Sequence, residues 1–354
     1  MRPAFKNKIS ALALAGLMLG IAAGLQAAPR TTPARPGGST ARPAPSSVLR
    51  IEGVEYVEAD EFGKTLGLKA AWVKTGERLV LKNETMRIEL ENDSRELEVN
   101  GVRVFMGEAA RLRKRELYIS KIDAERLLRP LVRPGQGGPP VPPLRVIALD
   151  PGHGGKDPGK ENTRLRVNEK TFTLDVCARL EKLLTQRGYK VVLTRNRDVF
   201  VGLGDRAEKA TRAGADLFVS VHFNSVASEV ARVSGSETYT MTPQYQRSTS
   251  DNQREGIDGI ANPGNVNDHW NILLGYHVQR SLLAELKTFD RGLKRGRLAV
   301  LRLATCPAVL VEAGYLSNDV ETKKIATSAY RQQIAESIAD GIMAYAAALA
   351  NARK

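Results

Sequence analysis

Cysteine is almost missing from this chain of 354 residues. There are two, Cys177 and Cys306, each in an apolar setting, which excludes a disulfide framework and reads as two buried thiols. Histidine is scarce as well, at four residues, so an imidazole set among glycines or at a strand end stands out. Beyond the first 28 residues no run is long and apolar enough to cross a bilayer. The glycine-rich stretch VIALDPGHGGKDPG (146–159) also lacks what a phosphate loop needs. Lys160 is followed by Glu161 rather than Ser or Thr, and Asp157 stands where a dinucleotide fingerprint requires its third glycine. Phosphate readings fall away, and Gly152, Gly154 and Gly155 read instead as room for His153.

The chain does have one long apolar run, at its start. MRPAFKNKIS, with Arg2, Lys6 and Lys8, precedes ALALAGLMLGIAAGLQAA, the charged, apolar, small-residue order of a secretory leader. Cleavage is expected after Ala27, giving a leader at 1–27 and a soluble mature protein that is periplasmic, or secreted and associated with the cell wall. Residues 28–48, rich in Pro, Ala and Arg, read as a semi-extended tether. A second break, RPGQGGPPVPP (133–143), is too dense in Pro and Gly for a helix or a ladder. A small α+β domain at 49–132 and a larger one at 144–354 follow. The net charge of +14 and a pI near 9.8 call for an acidic partner. For an exported chain that means anionic wall polymers or lipid head groups rather than nucleic acid.

In the small domain Asn100-Gly101 is a two-residue hairpin signal between Leu97/Val99 and Val102/Val104. Lys74-Thr75-Gly76 is expected to turn a second pair of strands. VEYVEADEFGKTLGL and RELYISKIDAERLL share one plan, a strand with an aromatic followed by an acidic-capped helix, as in an internal repeat. The pattern resembles the copper-amine-oxidase N-terminal-like module of bacterial exported proteins. With neither His nor Cys, it is read as a binding or spacer module without a metal site of its own, and its RLRKR run (111–115) as a solvated face.

Residues 144–354 alternate apolar runs with helical patterns. The fold class expected is α/β, a mostly parallel or mixed sheet of about six strands flanked by helices. Strands are predicted at Val146–Leu149, Lys190–Thr194, Leu217–His222, Glu237–Met241, Ala299–Leu303 and Ala308–Glu312. Helices are predicted at Glu169–Arg187, Gly204–Ala213, Trp270–Thr288, Val320–Thr327 and Ala329–Ala350. Leu174, Cys177, Leu180 and Leu184 recur at helical spacing, as do Ile334, Ile338 and Ile342.

Four residues converge on this plan. His153 follows the first strand. Glu169 opens the next helix behind the N-cap Asn168, a place the helix dipole favours for an acid. His222 ends the apolar strand DLFVSVH, at the edge where α/β sheets place ligands. Glu312 ends PAVLVE, where a carboxylate is costly unless a cation or strong donor meets it. Two imidazoles and a carboxylate suit Zn²⁺ with an open position for water, and a second carboxylate can then move protons.

The ordered motifs LDPGHGGKDPG, NEK, SVHFNS, GLKR and PAVLVEAGYLSN resemble those of the zinc-dependent N-acetylmuramoyl-L-alanine amidases of bacterial cell walls. The likeness covers residues 145–348. It implies one zinc held by His153, Glu169 and His222, with Glu312 as the catalytic glutamate. It also implies hydrolysis of the amide joining N-acetylmuramic acid to L-alanine in peptidoglycan. The strand motif, usually His-Ala-Asn, reads His222-Phe223-Asn224 here. By alternation Phe223 should point away from the metal, while Asn224 is a candidate at the substrate rim. A zinc peptidase cutting within the stem peptide would use the same ligands, whereas a wall-binding protein without catalysis would not need all four residues. Segment 243–269, polar and without an apolar helical stripe, is expected to be a mobile rim touching glycan rather than an inhibitory helix. No protein activator can be read from the chain.

Overall fold

A short strand followed by a helix occurs twice in the first part of the chain, as the repeat implies. The computed structural model describes residues 48–354; the expected leader, and the tether up to its last residue, lie outside the described residues. Val54–Glu58 leads into helix Ala59–Thr65, and Glu116–Ser120 leads into helical turns from Lys121 to Val132. The two strands pair antiparallel, Tyr56 opposite Ser120 and Glu58 opposite Tyr118, within a four-stranded sheet. Five more strands between Lys69 and Phe105 form an antiparallel meander. Asn100 and Gly101, at φ 48° and 81°, make its two-residue turn.

The second part contributes six strands to the main sheet and carries six α-helices, numbered here within it, beside a separate two-stranded ribbon of Glu161–Asn162 and Val167–Asn168. The strands are β1 (Val146–Pro151), β2 (Lys190–Leu193), β3 (Leu217–Asn224), β4 (Ser236–Met241), β5 (Asp290–Gly296) and β6 (Ala308–Tyr315). The helices are α1 (Glu169–Gln186), α2 (Leu203–Arg212), α3 (Asp268–Leu286), α4 (Ala299–Leu303), α5 (Asp319–Ile325) and α6 (Ser328–Ala352). Spatial order is β2-β1-β3-β6-β4-β5. All neighbours are parallel except β4 against β6, so the sheet is mixed. Helices α1, α3 and α6 pack together, with Cys177, Leu180, Val278, Ile334, Ile338 and Ile342 in the main core. Helices α2 and α4 pack together beside a second cluster built on Ala148, Phe218 and Ala308. Cys177 and Cys306 are free and buried, one in each cluster.

One predicted strand is a helix. Ala299–Leu303 forms α4, and the strand lies just before it, at β5. A five-residue apolar run such as AVLRL fits either period. DRGLKRG conceals its strand because one of its buried positions is Arg295, whose charge is met by Asp123 at 2.6 Å. Strand β5 also pairs with Val102–Phe105, Leu293 opposite Val104. The meander and the six strands therefore make one eleven-stranded sheet over a shared core, and the described residues form a single compact unit.

Candidate functional site

Strands β1, β3 and β6 run parallel, so their carboxyl ends meet at one edge of the sheet. That edge brings His153, Glu169 and His222 together, with one potential ligand atom of each within 4.8 Å of the others. His153 Nε2 and His222 Nδ1 both approach Glu169 Oε1, at 3.0 and 2.9 Å. Glu169 is only 3% exposed. Asn168 caps its helix as expected, accepting from Thr171 N, and the carboxylate accepts from two backbone amides, Phe223 N at 3.0 Å and Lys160 N at 2.9 Å. Burial opposes its charge, but the two imidazoles prevail and hold the carboxyl well below the usual range. Two glycines make the room. A Cβ on Gly152 would stand 2.2 Å from the His222 ring, and one on Gly159 would stand 2.6 Å from the His153 ring and 2.7 Å from the Glu169 carboxylate. Two imidazoles and an ionised carboxylate, fixed from behind, are a donor set that fits a divalent metal.

Glu312 neighbours His222 on the parallel ladder and Glu237 on the antiparallel one. Its Oε2 is buried without a hydrogen-bond partner among the described residues. Burial, then the charges of Glu169 and Glu237, push its carboxyl well above the usual range against the pull of Lys294. Glu237 itself is clamped: Lys294 and Asn224 bind it, the latter at 2.5 Å, and the Tyr239 hydroxyl donates to it at 3.0 Å. Asn224, Tyr239 and Glu312 line a cleft of about 460 Å³ with Ser248, Asp251 and Ile257. Phe223, as alternation requires, turns inward and packs edge-on against Phe172 at 6.2 Å.

More than half of the chain, residues 147–344, matches the family described as N-acetylmuramoyl-L-alanine amidase. The chain belongs to this amidase family. It is 33% identical over 234 residues to the N-acetylmuramoyl-L-alanine amidase AmiC of Escherichia coli O6:H1, across 60% of this chain and 55% of AmiC. It is 34% identical over 221 residues to AmiC of Neisseria meningitidis serogroup B, across 56% and 52%. The chain thus spans about half the length of these curated relatives. Among solved structures, the catalytic domain of the amidase CwlV from Bacillus (Paenibacillus) polymyxa var. colistinus is 31% identical, with a TM-score of 0.48 over 58% of this chain and 99% of that one. Residues 39–122 match the family described as copper amine oxidase N-terminal domain.

In this chain, supports that its local sequence did not announce hold the histidine loop. His153 adopts φ 62°. Arg206 donates to His153 O at 2.8 Å and to Pro151 O at 2.6 Å, and Arg195 donates to Pro151 O at 3.0 Å and Gly152 O at 2.8 Å. Asp150, fully buried, pairs with Arg206 at 2.8 Å and accepts from Thr194 and Ser220 hydroxyls. The only local signal was an acid ending an apolar strand. With its proton on Nδ1, His153 donates to Asp157 Oδ2 at 2.9 Å, which leaves Nε2 as the lone-pair nitrogen. Asp157→Ala is therefore expected to weaken metal binding by about 10–100-fold, as loss of such an orienting partner does. Competition with a metal-sensitive dye at pH 8 would measure it, and unchanged affinity would exclude the orienting role.

Proposed function

We propose that the protein is an exported zinc hydrolase that cleaves the amide between N-acetylmuramic acid and L-alanine in peptidoglycan. The observation carrying this reading is the convergence of His153, Glu169 and His222 beside a buried, unpartnered Glu312 carboxylate. His153, Glu169 and His222 would hold the zinc, which when bound polarises the scissile carbonyl and acidifies water. Glu312 Oε2 takes the proton of the attacking water and returns it to the departing amine. Burial and the charges of Glu169 and Glu237 raise the Glu312 carboxyl against the pull of Lys294. A divalent cation held by the triad would oppose that rise and leave the carboxylate free to accept the proton. Asn224, held by Glu237, forms part of the substrate rim. Export rests on the charged, apolar, small-residue order of residues 1–27, which would be removed on the way out.

Mass spectrometry of digested peptidoglycan, with and without chelator, tests the reading. Stem peptides with a free L-alanine amine, alongside muramic acid with an intact lactyl carboxyl, are expected only when metal is present. Cuts inside the stem peptide would instead make the protein a zinc peptidase. Cleavage indifferent to chelation would remove the metal from the account.

Acid should strip the site early. Burial lowers the affinity of His153 for protons, but Glu169 and Asp157 more than offset it, so its imidazole titrates above the ordinary 6.5. Proton and metal compete for the ring, and affinity should fall by up to about tenfold per unit as pH drops below that raised value. Zinc titrations between pH 8 and pH 5.5 would show it; affinity flat to pH 5.5 would contradict the competition.

A further inference from the structure

The cleft over Glu312 has one wall that another part of the chain holds in place. Residues 242–260, between β4 and the approach to α3, contribute Ser248, Asp251 and Ile257 to it. The segment carries one short 3-10 turn, Gly256–Gly259, and a second follows at Pro263–Asn267 before α3. Polar chain of this kind has little apolar surface to pin it down.

The pins come from the N-terminal part. Arg95 donates to Asp251 O and Ser248 O, both at 2.8 Å. Glu108, 7% exposed, accepts from Arg254 Nε and Nη2 through Oε1, both at 2.9 Å, and from Arg247 through Oε2 at 3.0 Å. Gln246 donates to Ser120 Oγ at 3.2 Å, and the buried Arg295 joins it to Asp123. The approach is close enough that a Cβ on Gly107 would lie 2.5 Å from the Gln246 side chain. Three residues of the first part, Arg95, Glu108 and Ser120, thus grip the segment directly at Gln246, Arg247, Ser248, Asp251 and Arg254, and Asp123 joins them through Arg295.

We infer that the N-terminal part is a clamp that pre-orders the substrate wall of the amidase cleft, with Glu108 as its chief positioning residue. Glu108 is not among the residues lining the cleft. It acts through Arg247 and Arg254, a charge-assisted fork that fixes 247–254 as a closed arc. Ordering that arc in advance removes an entropy cost from substrate binding. The segment expected from sequence to be a mobile rim is, on this inference, a braced one. The inference rests on the proposed amide hydrolysis only for the identity of the substrate.

The test uses the full chain with Glu108→Gln and, should that buried change impair folding, Arg254→Gln, whose side chain is 40% exposed. Hydrogen exchange across 242–260 is expected to quicken while β1, β3 and β6 stay protected. On peptidoglycan KM is expected to rise roughly tenfold with kcat within about twofold, the signature of lost uniform binding rather than lost chemistry. Unchanged exchange would show that Glu108 is no clamp. Faster exchange with unchanged KM would show that the segment is no substrate wall, and a fall in kcat alone would place its effect on the chemistry instead. If the unmodified protein releases no stem peptide with a free L-alanine amine, the amidase reading fails, and the exchange comparison still decides the clamp.

Discussion

Glu312→Gln is expected to lose on the order of 10²–10⁴ in kcat, the usual worth of a positioned acid–base group, while still binding one zinc per chain. The amide keeps the shape of the side chain but cannot carry the shuttled proton. Zinc should stay because Glu312 is not one of the three residues that converge within 4.8 Å. Folding should not suffer either. Glu312 Oε2 lacks a partner among the described residues, and burial with two nearby carboxylates already disfavours its charge. The neutral variant should therefore melt no lower than the original chain. Turnover on peptidoglycan, metal content and thermal melting of the same preparation check all three expectations. Near-normal turnover with zinc in place would take Glu312 out of the mechanism.

The second large effect concerns folding. Arg206→Met should destabilise the protein by about 3–5 kcal/mol, the cost of leaving a buried charge without its partner. For a chain of this size that is a fall on the order of 10 °C in melting temperature. Arg206 is 3% exposed and Asp150 is fully buried, and the same guanidinium also serves Pro151 O, His153 O and Val201 O. Adding Asp150→Asn should recover part of the loss, because an amide tolerates burial better than an unpaired carboxylate: its oxygen can still accept from Thr194, and its NH2 can donate to the Ser220 hydroxyl oxygen. A loss below about 1 kcal/mol in the single variant would contradict the buried-pair account.

The four residues that meet at the sheet edge were legible in the sequence because each sits where local chemistry is odd. His153 lies in a loop of glycines, His222 and Glu312 end apolar strands, and Glu169 follows an N-cap. The room expected around His153 comes instead from Gly159: Gly152 clears the ring of His222, and Gly154 and Gly155 clear Arg195, Val199 and Phe200. Asp150, Arg195 and Arg206 escaped notice because a charge on a helix or strand end reads as solvated until its partner is seen. Glu237 escaped for a similar reason: SETYTM reads as a plain strand, and the groups that neutralise its carboxylate, Lys294, Asn224 and Tyr239, come from three strands.

What the sequence by itself determined are five of the six helices of the second part, five of the six strands of its main sheet, the mixed α/β class and the four residues at the sheet edge. These follow from periodicity and from residue types whose solvation costs are local. Only the tertiary structure decided that β5 rather than 299–303 carries the sheet onward, that Leu293 lies opposite Val104, and that Glu108 grips Arg247 and Arg254. Strand register and buried ion pairs depend on which distant segments meet. A one-residue slip would reverse every side chain, and no local pattern in DRGLKRG or GEAARL records the match.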